Sequence, residues 1–512
     1  MARITNAHKW YWATRQIRTA KAGETFYYVR PAGDTYGAGD GTTYDDAWAG
    51  FDEIDWDVVS GNSLYIAGTH TESLTVGADS VTIRGDYSED SGIINNTASI
   101  SDLVTINNKQ NIILNSLTVT NATQSNIVIT GNSTVTTNDC LLQDSGNQNL
   151  QCEGTSVSTH NNIICTGGVD DGVSGHDTAI ITLNGSSTNI SGNNQGVNVI
   201  ENCVININCN IGVNTQYDIY GVNNTGSGVV TINMSNVSTA IVFSQTDCLI
   251  NLTNCQVTTS LTVNGTVPGT ASAIATNCII EEAIFGTYTE GAEFNDCLIK
   301  NISGNIGGSI TFNDSLILDR LVVYGDVTAN RCLFTCDNAG ANHVISVDNS
   351  GNYESYYSIY KNIPSAKFAI LYLAGTTGKA DNNTFIGVSK VGRGIYLNVD
   401  FTANNNIFTD LDYGLFQAGG TVVSNNSVYY DNTVDIQGTV TNNNQQTGDP
   451  LLADVANNDF SPGVGSSAIG NGATLTESTG IDTADWGNGT NEVPTVTTKE
   501  QGASWDIGAY IS

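Results

Sequence analysis

Residues 277–334 repeat one short phrase four times: Asn277-Cys-Ile-Ile, Asp296-Cys-Leu-Ile, Asp314-Ser-Leu-Ile and Arg331-Cys-Leu-Phe. A polar residue is followed by a small one and then by an apolar pair. The small residues 278, 297, 315 and 332 stand 19, 18 and 17 positions apart. The phrase extends upstream as Asn138-Asp-Cys-Leu-Leu, Asn202-Cys-Val-Ile, Asp247-Cys-Leu-Ile and Asn254-Cys-Gln-Val. Downstream it returns as Asn383-Thr-Phe-Ile, Asn405-Asn-Ile-Phe and Asn426-Ser-Val-Tyr. Self-similarity at a period near twenty residues is the mark of a stacked solenoid. Each coil supplies short parallel strands that pair with the coils on either side at about 4.8 Å, and no coil buries its apolar face alone. Asn at the corners tolerates left-handed backbone and can hydrogen-bond along a ladder of its own kind. The expected fold is therefore all-β: a single-stranded right-handed parallel β-helix. The loose period excludes a strict short-repeat solenoid.

Composition agrees. Of 512 residues, 39% are hydrophobic, only 13% are charged, and six are proline. A chain rich in Asn, Thr and Ser with so little charge is either disordered or a β-solenoid, and its recurrent Ile, Val and Leu runs favour the second. No proline-rich linker divides it. The formal charge of −33 repels a phosphate backbone, so no nucleic-acid partner is expected. No apolar run approaches the roughly 18 residues of a membrane span, and the first residues lack the apolar core of a secretory signal. Eleven cysteines, an odd and scattered number, fit neither a disulfide framework nor a zinc site. Most fall in the small position of the repeat, where Ser, Thr or Asn stands in other coils.

The chain divides by composition into four parts. Residues 1–30 form a basic, aromatic arm whose Arg3, Trp10, Trp12, Arg15 and Arg18 suit docking to an acidic partner. Residues 31–59 read as an N-terminal cap, with room in 42–57 for an amphipathic helix that places Ala47, Trp48, Phe51 and Ile54 on one face. Residues 60–446 hold the β-helix, on the order of eighteen coils and roughly 85 Å at the strand spacing. Residues 447–512 read as a C-terminal cap. All six tryptophans lie outside the repeats, as covers for the open apolar ends of a solenoid would.

Two terminal stretches carry a resemblance. Gly41-Thr-Thr-Tyr-Asp-Asp-Ala-Trp followed by Val59-Ser-Gly-Asn-Ser-Leu-Tyr-Ile-Ala-Gly resembles the opening cap of pectin-lyase-like right-handed β-helix proteins. Gly448-Asp-Pro-Leu-Leu, Asn458-Asp-Phe, Ser466-Ser-Ala-Ile-Gly-Asn-Gly and Asp506-Ile-Gly-Ala-Tyr resemble the closing segment of the same group. The resemblance covers about residues 35–512 and concerns the fold, which hosts lyases, hydrolases, isomerases, adhesins and phage tailspikes. It implies that any chemistry rests on acids stacked on one outer face, as clustered Asp in hydrolases or Ca²⁺-binding acids with an Arg or Lys base in lyases.

Candidate sites follow from that requirement, since a glycosidase pair sits roughly 5–9.5 Å apart, one to two coil rises. Asp170, Asp171, His176 and Asp177 lie close together in Gly168-Val-Asp-Asp-Gly-Val-Ser-Gly-His-Asp-Thr, a catalytic or metal-binding loop or else a polar turn. Asp296, Asp314 and Arg331, with Lys300, Asp319 and Arg320, form a second candidate column, whose stacked Asp residues also read as turn caps, and Glu281-Glu282 is a lone acidic pair. Tyr353, Tyr356, Tyr357 and Tyr360 fall where the period lengthens, which suggests a glycan-contact loop, because sugar rings stack on aromatic faces. Packing explains them equally. A Ca²⁺ site is conceivable at Asp34, Asp40, Asp45 and Asp46, although their spacing matches no EF-hand and no cofactor is expected.

Three functions remain open. A phage or virus virion protein (a tailspike, tail fibre or capsid-attached fibre) would be anchored to other virion proteins by the basic arm and meet a host surface polysaccharide, with a homotrimer as the expected assembly of such rods. A polysaccharide-degrading hydrolase or lyase and a bacterial surface adhesin are the alternatives. The missing export signal and the free cysteines favour assembly in a host cytoplasm, hence the virion.

Overall fold

This computed structural model describes residues 24–512 apart from 89, 224–228, 246, 265–270, 287–288, 305–306, 319–320, 336–342, 348–350, 362, 364–366 and 376. Arg3, Trp10, Trp12, Arg15 and Arg18 lie outside the described residues, as do Asp319 and Arg320. The fold is a right-handed parallel β-solenoid of about 16 turns, fewer than the eighteen expected because several coils exceed twenty residues. Bonded ladder partners sit from 17 to 27 positions apart. The chain forms two compact units, Met1–Asn194 and Gln195–Ser512.

In the first unit each coil contributes three parallel strands, such as Thr134–Asn138, Leu141–Gln143 and Leu150–Cys152. These pair with Val157–Asn161, Ile164–Thr166 and Asp171–Gly175 of the next coil. The solenoid starts earlier than the composition suggests. Phe26–Arg30, inside the stretch assigned to the arm, is a strand paired with Trp48–Ala49 and Ser63–Ile66. The helix expected within 42–57 does not form. Trp48–Ala49 is a strand, Phe51–Glu53 a 3₁₀ turn, and only Trp56–Val59 is α-helical, capped by the Asp55 carboxylate accepting from the Asp57 N–H. Gly50, at φ 103°, breaks any longer helix. The four apolar residues are nevertheless buried.

In the second unit the long strands Ser238–Gln245, Gln256–Asn264 and Ile279–Phe285 make two-sided coils. From Leu321 onward a further sheet opens: Leu321–Val323, His343–Val347, Phe368–Tyr372, Arg393–Leu397, Tyr413–Gln417 and Val434–Gln437.

One corner explains the repeat. In both units it turns on a residue with positive φ: Ser116, Asp139 and Asn162 in the first, and Asn236, Asn254, Asn277, Asp296, Asp314, Arg331, Tyr357, Asn382, Asn405, Asn426 and Asn444 in the second. Asn and Asp are the residues that tolerate this region best. The residue that follows, the small slot of the repeat, points inward. Its side chain accepts the slot N–H of the preceding coil: Cys278 Sγ from Cys255 at 3.3 Å, Ser315 Oγ from Cys297 at 3.1 Å, Ser358 Oγ from Cys332 at 3.2 Å, Asn406 Oδ1 from Asn383 at 2.8 Å and Ser427 Oγ from Asn406 at 3.2 Å. Thiols and hydroxyls in this slot also donate to the carbonyl two residues back, as Cys297 does to Asn295 and Ser315 to Asn313. From Cys278 onward the slot thus carries a small side chain whose acceptor pairs a buried N–H, whereas Leu117, Ile163 and Val237 fill the same position in other coils by apolar packing alone.

This register corrects the sequence assignment. Asn383, not Thr384, occupies the slot, and only Cys140, Cys255, Cys278, Cys297 and Cys332 of the ten described cysteines do so. Cys203 precedes the strand Val204–Asn208 and Cys248 opens Cys248–Thr253. All ten are free and buried. Just before the corner runs a second ladder, in which Asn138 donates to Asn115, Asn161 to Asn138, Asn313 to Asn295 and Asn330 to Asn313.

The residue after the slot faces outward, and its character changes along the second unit. It reads Ser238, Gln256, Ile279, Leu298, Leu316, Leu333, Ile359, Thr384, Ile407, Val428 and Gln446 in register. Residues 447–512 run back along this apolar column rather than only covering an end. Phe460, Ile481, Trp486, Ala509 and Tyr510 pack against Leu298, Leu316, Leu333 and Ile359, while Ala468 and Ile507 pack against Ile407 and Val428. At Thr384, the one polar member between Ile279 and Val428, the hydroxyl accepts from the Ala509 N–H at 3.1 Å. The Asn405 amide donates to and accepts from the Ala473 backbone, both at 2.7 Å. The last coil is polar inside: Asn442 donates to Gln445, and both Gln445 and Asn432 donate to Asp435.

Candidate carbohydrate-contact surface

The acidic segment in the first unit does not converge. Asp171 opens the strand Asp171–Gly175 and is only 1% exposed, whereas Asp177 lies beyond its far end. Five to six extended residues separate them, about 16–20 Å, well outside the span of a glycosidase pair. The ends are tied locally. The Asp177 carboxylate accepts from the Gly154 N–H at 2.9 Å, the Asp170 N–H donates to the Asn147 carbonyl at 3.2 Å, and His176 Nε2 is 2.9 Å from Ser174 Oγ. Asp170, Asp171, His176 and Asp177 thus serve the strand and its turns.

The tyrosine group in the second unit is packing, not a loop. Tyr353–Tyr356 and Ile359–Lys361 are strands; Tyr353, Tyr357 and Tyr360 are 0–1% exposed. Tyr360 stands in an inward ring ladder with Phe334, Phe385, Phe408 and Tyr429 at 4.8–5.1 Å. Tyr353 and Tyr360 share a hydroxyl–hydroxyl hydrogen bond, and Tyr357 donates to the Glu477 carbonyl at 2.8 Å, which holds a bulky side chain at a left-handed corner. Only Tyr356 keeps an outward face, with its hydroxyl on Glu354. These rings present no platform to a sugar.

The charged column is a corner clamp. Arg331 donates through Nε and Nη2 to both oxygens of Asp314 at 2.8 Å, a planar fork that compensates Arg at positive φ. Burial, then the neighbouring Asp314, raises the Asp296 carboxyl above the usual range. Lys300 pairs with Glu281 at 2.8 Å and Ser303 donates to Glu282 at 3.0 Å. Near the N-terminus, Asp46 accepts from the Ala38 N–H and the Thr43 hydroxyl, and Asp40 accepts from Thr42. Asp34 and Asp45 do not join them: among the described residues no three His, Cys, Asp or Glu side chains converge as metal ligands.

The surface that does assemble was not singled out from the sequence. In the last-formed sheet of the second unit, Phe368, Arg393 and Tyr413 stack in one outward column and Leu371, Tyr396 and Phe416 in a second. Strict alternation would not place two columns three residues apart. A kink at Ala369, Gly394 and Gly414 does, and it leaves no room there: a Cβ at Gly394 would lie 2.0 Å from the Gly414 carbonyl oxygen. Tyr396 and Phe416 stack at 5.3 Å and 14°, and Phe368 meets Tyr396 edge-on at 5.2 Å. The Arg393 guanidinium lies 5.3 Å from the Phe368 ring centre and 5.2 Å from that of Tyr413, and donates to Asp412 at 3.2 Å. All six side chains are half-buried, so each ring keeps an accessible edge or face. The signal was present as Phe368-Ala-Ile-Leu, Arg393-Gly-Ile-Tyr and Tyr413-Gly-Leu-Phe, a bulky–small–aliphatic–bulky phrase outside the corner repeat.

Among the described residues no helix is long and apolar enough to cross a membrane. A scan of protein-family models finds none that matches this sequence, and a search of curated proteins finds no match.

Proposed function

We propose that this chain is a carbohydrate-binding β-solenoid of a virus particle, a tailspike- or tail-fibre-like member of the pectin-lyase-like group, that presents the ledge of Phe368, Tyr396, Tyr413 and Phe416 to a host surface polysaccharide. The ledge is the observation that carries the reading: a half-exposed cluster of four rings on a strand scaffold, with Tyr396 and Phe416 stacked and Phe368 and Tyr413 edge-on to them, offers apolar ring surface to the apolar faces of pyranose units. The charge of −33 disfavours polyanions and points to a neutral glycan. The basic, aromatic residues that precede the strand Phe26–Arg30 supply the particle-anchoring part of the reading, and association of three copies along their flanks belongs to the same reading.

The test is retention of the full chain on immobilised neutral polysaccharides, comparing wild type with Tyr396→Ala and Phe416→Ala. Each ring contributes about 0.5–1.5 kcal/mol, so the double variant should bind roughly 5–150-fold more weakly. Retention unchanged in the double variant, with the fold intact, refutes the ledge. Purified particles that lack the chain as a stoichiometric component refute the virion assignment independently.

A further inference from the structure

The second unit contains a groove of about 580 Å³ between the corner of the two-sided coils and the loop that joins the strands Thr479–Asp485 and Thr495–Glu500. One wall is the exposed amide column Asn236, Asn254 and Asn277; the floor includes Gln256 and Ile279; Asn491 and Glu492 face them from the loop. The amides are held in register. Asn254 Nδ2 donates to Asn236 Oδ1 at 3.2 Å, and Asn277 Nδ2 donates to Asn254 Oδ1 at 2.6 Å. These bonds use one N–H and one carbonyl lone pair of Asn254, and an amide has two of each. The loop wall is equally fixed: Asn488 Oδ1 accepts from the Thr490 and Asn491 N–H groups, and the Asn488 N–H donates to Glu492 at 3.1 Å.

We propose that this groove binds a neutral oligosaccharide, a second glycan subsite distinct from the ledge. The lining contains no Lys or Arg to hold a phosphate or carboxylate and no aromatic ring to stack a base. It offers paired amide donors and acceptors, repeated at the roughly 4.8 Å coil spacing, that match adjacent hydroxyls on successive sugar units. Ile279 and Val493 supply apolar area for a ring face, and Glu492 accepts from hydroxyls while repelling acidic sugars. The volume lies within the range of small-ligand sites. This subsite deepens the carbohydrate reading and rests on it, but its residues are independent of the ledge.

The experiment is calorimetric titration of the full chain with cellotetraose, maltotetraose and trigalacturonate. The variants are Asn254→Gly, which keeps the left-handed corner but removes the amide, Asn491→Ala on the loop, and Tyr396→Ala on the ledge. At least one neutral tetrasaccharide should bind, at least tenfold more tightly than trigalacturonate. Asn254→Gly and Asn491→Ala should each weaken it at least fivefold. If Asn254→Gly misfolds, Asn491→Ala decides. Absence of binding by both neutral probes overturns the groove, as does affinity unchanged in the loop variant. Loss only in Tyr396→Ala places the sugar on the ledge and also overturns the groove. Failure of the ledge reading would instead show as polysaccharide retention insensitive to Tyr396→Ala and Phe416→Ala.

Discussion

Replacing Ser315 with Ala isolates the bond that sets the repeat. The Ser315 hydroxyl accepts the Cys297 N–H at 3.1 Å and donates to the Asn313 carbonyl at 2.7 Å, and both slot residues are fully buried. Alanine removes both bonds and admits no compensating water unless the corner opens. Leaving one buried N–H unpaired costs about 1–3 kcal/mol. Cysteine, native in the slots on either side, retains an acceptor and should cost less than about 1 kcal/mol; valine fills the volume without an acceptor and should behave like alanine. Solenoid coils couple mainly to their neighbours, so the loss should be local. Hydrogen exchange read by mass spectrometry on the peptide containing Cys297 measures it directly. Protection there should fall about 5–150-fold in Ser315→Ala and less than fivefold in Ser315→Cys. Equal protection in wild type and Ser315→Ala, or equal losses for Ala and Cys, would refute the acceptor account and leave simple side-chain volume as the constraint.

Three further outcomes are expected. Trp486→Ala, in the cluster that covers the outward column, should destabilise the second unit by about 3–5 kcal/mol and raise binding of a hydrophobic dye, measured by urea unfolding and fluorescence. His160 is fully buried, and desolvation depresses its pKa to about 3, below the ordinary value near 6.5. The neutral ring's contribution is therefore present above pH 6.5 and is lost as pH falls from 6.5 toward 3. His160→Gln should flatten that part of the stability profile, and a slope unchanged between pH 6.5 and 4 would contradict it. Burial pushes the thiols of Cys152 and Cys332 up to about 12, so they should resist alkylation in the native chain at pH 8 and react once it is denatured, as counted by mass spectrometry.

The solenoid was legible because its corner repeats in sequence: a residue tolerant of positive φ, then a small side chain, then an apolar pair. The hydrogen-bonding reason for the small side chain was not, since Cys, Ser and Asn share an acceptor only once a neighbouring coil is placed above it. That is why Cys203 and Cys248 were read into a slot they do not occupy. The packing of residues 447–512 was hidden for a similar reason. Its partner column is one outward residue per coil, Ile279 through Val428, and an apolar residue in a strand does not announce which face it serves. The ledge escaped attention because Gly394 and Gly414 break the alternation by which outward positions are counted. Tyr353, Tyr357 and Tyr360 misled in the opposite direction, since ring spacing alone does not separate an inward stack from a binding surface.

The polar last coil of the second unit also bears on how such a chain behaves in a crowd. Its final strands, Val434–Gln437 and Thr441–Asn443, end the unit's sheets and offer unpaired backbone groups on which any parallel β-strand could add. Asn442 and Gln445 instead bond on to Asp435 beneath that edge, so an incoming coil would have to desolvate a carboxylate and two amides. The desolvation cost at this polar end opposes end-to-end stacking of a second copy on it.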